Sequence, residues 1–176
     1  NTTKLRNFHE YEKLEDLLKA FNKIKKEKKT SIPLLLKISP DIKDESISDI
    51  ANIVIKNHIS GIIITNTTNA NRENLLSKIK NENGGLSGEP LRKISTNMIK
   101  KFYSKVDGKI PIIGVGGVSS GKSAYEKIIA GASLLQLYTG LIYEGPMVVK
   151  KIKRELIQIL KAEGISNIKD AVGTGV

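Results

Sequence analysis

Cysteine and tryptophan are missing from the 176 residues, and five tyrosines and three phenylalanines are the only aromatic side chains. Without cysteine the chain can build neither a disulfide framework nor a thiolate metal site. Histidine is scarce as well: His9 and His58 are the only two, and each falls in or beside a helical stretch. No Ser/His/Asp or His/Cys grouping accompanies them, so both read as structural and no metal site is expected. No apolar run approaches the roughly 18 residues that a membrane span requires, and no signal-peptide pattern is visible. Negative charge is in deficit, with 18 Asp and Glu against 29 Lys and Arg, a formal charge of +11. Surfaces that grip single-stranded nucleic acid interleave cations with stacking rings, whereas the lysines here fall on helix faces. A solvated lysine-rich surface is the first reading of that charge, an anionic membrane face the second, and no nucleic-acid partner is expected.

What the chain does have is alternation of helical and strand-like patterns. Tyr11 to Lys28 carries Leu14, Leu17, Leu18, Phe21 and Ile24 at helical spacing. Four short apolar runs follow, near Leu34–Ile38, Ile62–Thr65, Ile112–Val115 and Leu134–Leu137, and each leads into an amphipathic or polar helical stretch. A long Asn- and Gly-rich connection, from Thr68 to about Pro90, separates the second run from its helix. Strands this apolar, each followed by a helix, predict a parallel sheet covered by helices. An open doubly wound sheet and a closed (β/α)8 barrel both use that order. The polar residues gather after the C-terminal end of all four strands, where such folds place their sites. A barrel needs eight strands and typically about 250 residues, and only four strands are counted. The expectation is therefore an α/β protein, the C-terminal half of a (β/α)8 TIM barrel, with residues 1–176 as one partial barrel domain.

Four groups of residues could carry chemistry. In "LLLKI" the side chains alternate, so Lys37 shares a face with Leu35 and points away from Leu34, Leu36 and Ile38. It is either a strand-end lysine reaching solvent or a fixed cation facing an anionic ligand. Thr65, Asn66 and Thr67 either end the second strand or form a neutral donor and acceptor rim for a small polar ring. Gly84, Gly85 and Gly88 around Ser87 make a loop whose backbone can approach a ligand, and long irregular loops in compact domains are commonly functional. Gly116 and Gly117 after the third strand, with Tyr138 and Thr139 after the fourth, read either as turn residues or as a phosphate cradle. Barrels often bind phosphate in their last two such loops, which favours the cradle.

The blocks "LLLKISPD", "TNTT", "GGLSGEPLRKIST", "IPIIGVGGVSSG", "YEKIIAGASLLQLYTGLIYEGP" and "KIKREL", in this order, resemble the class 2 dihydroorotate dehydrogenases, nearly end to end. That resemblance implies FMN as cofactor and oxidation of (S)-dihydroorotate to orotate with a quinone acceptor, in pyrimidine synthesis. It implies flavin contacts from Lys37, Thr65, Ser87 and Gly88, and phosphate contacts from Gly117, Tyr138 and Thr139 with Gly116 adjacent. Asn66 and Thr67 would contact orotate, as would Asn1, which matches the end of a family loop, Asn-x-Ser-Ser-Pro-Asn-Thr. The catalytic serine of that loop, the first four strands and the membrane-associated quinone-binding helices would lie upstream of Asn1, so no catalytic base is expected within these residues. The resemblance further implies peripheral attachment to a bacterial inner membrane on its cytoplasmic side, or to the mitochondrial inner membrane. Another FMN- or phosphate-binding barrel oxidoreductase and an inactive truncated fragment are the alternatives.

Overall fold

The computed structural model describes residues 11–70, 72–73 and 75–176. Asn1 and His9 lie outside the described residues. Helix α1 (Tyr11–Glu27) opens the described chain, followed by β1 (Leu35–Ile38), α2 (Glu45–Lys56) and β2 (Gly61–Ile64). A long loop and a single 3-10 turn at Glu89–Leu91 lead into α3 (Arg92–Val106), β3 (Ile112–Val115), α4 (Gly121–Ile129) and β4 (Ala132–Gln136). A short helix, α5 (Thr139–Glu144), precedes α6 (Val148–Ala162). The predicted third strand matches β3 end to end, and the other three differ from the observed strands by one or two residues at their ends. Helix α5 has no counterpart in the sequence reading, because six residues are too few to show a helical period.

The four strands form one parallel sheet in chain order, β1-β2-β3-β4. Parallel neighbours require a crossover, and α2, α3 and α4 supply the three. Alternation along each strand divides the sheet into two faces. On one, Ile38, Ile62, Ile64 and Ile112 are buried beneath α2 and α3, together with Ile50, Ile53, Val54, Ile99 and Phe102. A second apolar cluster joins Ala124 and Ile128 of α4 to Val148, Ile152 and Leu156 of α6. The other face carries Leu35 and Lys37 of β1 and Leu134 and Gln136 of β4, all exposed. The expected alternation around Lys37 therefore holds, and β1 and β4 are the edges of the sheet.

Candidate functional site

The C-terminal ends of the strands converge on a cavity of about 490 Å³, within the range of small-molecule sites. Ten of the sequence-predicted residues line it: Lys37, Thr65, Asn66, Thr67, Ser87, Gly88, Gly116, Gly117, Tyr138 and Thr139. Each strand delivers its own set. From β1, Lys37 comes forward on the uncovered face, and among the described residues its ammonium has no hydrogen-bond or ion-pair partner. At the end of β2 the backbone is anchored on both sides. Thr65 N–H donates to Val115 O at 3.2 Å and Asn66 N–H to Ile38 O at 2.7 Å. The Asn66 side chain is set in turn, its Oδ1 accepting from Thr67 N–H at 2.9 Å.

Beyond β3 the chain turns through Gly116 (φ 114°) and Gly117 (φ 70°). A Cβ at Gly117 would run into the Arg92 backbone and lie 3.0 Å from Gly88 O. Only glycine combines that φ with that approach. Neither glycine's N–H donates to another described residue, so two donors remain available beside the cavity. The Gly88 turn closes on the β4 exit in the same way: a Cβ there would meet Thr139 Cγ2 at 2.9 Å. Ser87 Oγ and Thr139 Oγ1 are 2.8 Å apart, joining the two loops through their hydroxyls.

Several supporting residues escape a reading of the sequence. The long loop after β2 is organised by Arg72, whose guanidinium donates to the carbonyls of Lys80 (3.0 Å), Glu82 (2.6 Å) and Gly84. Its two ends pair as a bridge between Thr68 and Leu86. Asp41, just past β1, accepts from the Thr68 hydroxyl and from Asn69 N–H at 2.9 Å, tying the first strand's exit to the second's. A second, adjoining cavity of about 590 Å³ runs under this loop and shares Ser87, Gly88, Gly117 and Thr139 with the first. Gln136 lines the main cavity without having been singled out.

The most unexpected group is Lys127, which has no exposed surface. Its ammonium donates to Ser95 Oγ (3.0 Å), Thr96 Oγ1 (3.1 Å) and Arg92 O (3.4 Å), one acceptor for each proton. Burial, with the neighbouring Arg92 charge adding to it, lowers its pKa from 10.5 to about 8. Arg92 is itself forked onto Glu126, at 2.6 and 2.9 Å, and bonded to Glu89 at 2.9 Å. The bonds to Glu126 chiefly, and to Glu89, raise its pKa above the ordinary value. A signal for Lys127 does exist in the sequence: with Ala124 and Ile128 it occupies the apolar face of α4.

Parallel β–α units whose polar residues meet in one cavity at the strand ends define a protein of the α/β class, with its candidate site where such folds carry theirs. Within that class the chain belongs to the dihydroorotate dehydrogenase family, whose model matches residues 1–160. It is 49% identical over 158 residues to a dihydroorotate dehydrogenase (quinone) of Christiangramia forsetii, covering 90% of this chain and 46% of that protein. A mitochondrial dihydroorotate dehydrogenase (quinone) of Mus musculus is 51% identical over 140 residues, covering 80% of this chain and 35% of its own. Ligand-free dihydroorotate dehydrogenase of Eimeria tenella superposes with a TM-score of 0.91 at 36% identity, over 99% of this chain and 53% of that one. The four-stranded sheet is thus part of a dihydroorotate dehydrogenase barrel, and the chain spans about half or less of the length of these relatives.

Proposed function

We propose that these residues form the cofactor-holding part of an enzyme that oxidises (S)-dihydroorotate to orotate, with FMN as cofactor and a quinone as final acceptor. The single observation that carries this reading is the convergence of residues from all four strand ends on one cavity. The family is flavin-dependent, and the cavity fits the group. Gly88 and Gly117 leave no room for a side chain where their loops meet. The free amides of Gly116 and Gly117, with the hydroxyls of Ser87, Tyr138 and Thr139, make a donor set suited to a phosphate.

A bound FMN would supply hydride-accepting chemistry toward dihydroorotate and electron transfer toward a quinone. The residues of this chain bind and orient. Gly116, Gly117, Tyr138 and Thr139 hold the phosphate, and Ser87, Gly88 and Thr65 line the flavin. Lys37 brings an unpaired cation to the ring side of the cavity, where it favours negative charge on a reduced cofactor. Asn66, whose N–H is bonded to Ile38 O, and Thr67, whose N–H is bonded to Asn66 Oδ1, orient the pyrimidine, with Asn1 as a further ligand. Lys37 and Tyr138 are the only ionisable side chains among the described lining residues, and neither is assigned as the base. Residues 1–176 act as one partial barrel domain. The quinone acceptor implies work at a membrane surface, and no helix of the described residues is long and apolar enough to cross one.

Titration of flavin fluorescence with the purified chain tests the reading. Saturable quenching of FMN is expected, and weaker quenching of riboflavin, which lacks the phosphate. Equal response to both flavins, or no saturable response, would overturn it. Turnover of dihydroorotate by this chain alone would show that the base has been misplaced.

A further inference from the structure

We infer that Lys127 is a positioning residue for the Gly116–Gly117 turn, acting through Ser95 and the carbonyl of Val115. That the turn receives a phosphate rests on the flavin reading above; the relay itself stands on the geometry. Lys127 Nζ donates to Ser95 Oγ, and the Ser95 hydroxyl donates to Val115 O. An ammonium has no lone pair, so the direction of this chain is fixed: the serine must accept from the lysine and send its own proton forward. Val115 is the residue immediately before Gly116, and its carbonyl also accepts from Thr65 N–H. One carbonyl therefore fixes the exits of both central strands, and a charged donor polarises the hydroxyl that holds it.

A purely packing role explains the arrangement less well. Ser95 and Thr96 each have a backbone acceptor of their own, Val115 O and Arg92 O, so an apolar side chain in place of Lys127 would strand neither hydroxyl. Burying the cation is costly, and a hydrophobic replacement of a buried charge is often neutral or stabilising. A long-range field does not explain it either, since Arg92 and Lys127 are matched by Glu89 and Glu126 within the same network. What the lysine adds is direction. It orients Ser95, and through Ser95 the backbone that leads into Gly116 and Gly117, whose two free amides lie beside the cavity.

The test uses the 15N-labelled chain with the variants Lys127→Met, Ser95→Ala and Thr96→Val, read by amide exchange and backbone relaxation. In Lys127→Met, Thr65 amide exchange should rise about tenfold, as for loss of one charge-assisted bond. Order parameters at Gly116 and Gly117 should fall, while the Ile38 and Ile53 amides stay unchanged. Ser95→Ala should reproduce both effects with Lys127 in place, and it carries the test should Lys127→Met fail to fold. Thr96→Val, which leaves the relay whole, should show neither. Unchanged Thr65 exchange and unchanged Gly116–Gly117 relaxation in a folded Lys127→Met or Ser95→Ala would overturn the inference, as would an equal effect of Thr96→Val. Inorganic phosphate is the separate probe. If the wild-type amides of Gly117 and Thr139 ignore it, the flavin reading fails while the relay is still judged by exchange.

Discussion

Burial gives Lys127 a measurable signature in stability as well as geometry. Its pKa in the fold is lowered from 10.5 to about 8, by burial first and Arg92 second, against the opposing pull of Glu126 and Glu89. Below pH 8 both folded and unfolded chains hold the proton, so no pH dependence arises there. Between 8 and 10.5 the unfolded chain holds it and the fold has released it, so stability rises with pH. Urea unfolding of wild type and Lys127→Met at pH 7 and pH 10 should therefore diverge. Wild type should gain relative to the variant by as much as about 3 kcal/mol, at 1.36 kcal/mol per pKa unit. Lys37 is the opposite kind of lysine, exposed and without a partner among the described residues. Lys37→Ala should shift unfolding by less than about 0.5 kcal/mol yet weaken FMN quenching. A stability loss well above that would assign Lys37 a structural role instead.

Two elements near the cavity are held by identifiable local devices. Helix α4 starts with a capping box in which Ser120 Oγ accepts from Ser123 N–H at 3.2 Å and Ser123 Oγ accepts from Ser120 N–H at 3.0 Å. Ser120→Ala should cost about 1 kcal/mol, read as a lower urea midpoint with unchanged slope. The loop after β2 hangs on the three carbonyls gathered by Arg72. In Arg72→Gln, tryptic cleavage after Lys78 and Lys80 should accelerate several-fold, while far-ultraviolet dichroism stays unchanged. These devices also show what sequence can and cannot reveal. The strands were legible because Ile62–Ile64 and Ile112–Ile113 form apolar runs, and most of the cavity lining because Lys37, Thr65 to Thr67, Gly116, Gly117, Tyr138 and Thr139 lie at or just past the strand ends. Arg72, Asp41 and Ser95 were not, since each acts on a backbone group distant in sequence, and nothing in its own neighbourhood marks that partner. Helix α5 was hidden by its length, and Lys127 by its charge, which masks a position whose helical phase is apolar.

At the scale of the molecule the apolar interior is divided. One cluster spans α1, α2, α3 and all four strands, reaching β4 through Ala132; the other joins α4 to α6 and the terminal turn at Ala171. Among the described residues Leu135 is the one side chain packed against both. The contacts between α3 and α4 include a polar set, Arg92 with Glu126 and Lys127 with Ser95 and Thr96, while Tyr103 of α3 lies against Gly131 and Gly173 and its hydroxyl donates to Val172 O. Apolar contact is forgiving of small displacements, whereas a forked ion pair and a three-acceptor ammonium hold only at one setting. The chain should therefore come apart in stages. Native-state hydrogen exchange at rising denaturant should show amides of α4 and α6 opening together at a lower free energy than those of β2 and α3. Merging of all these amides into one isotherm at every denaturant concentration would show a single cooperative unit instead. The cavity straddles that division, with Lys37 and Thr65 on one side and Tyr138 and Thr139 on the other. If the two clusters open in stages, a ligand seated across the cavity would clamp them together, and its affinity would set how often they part.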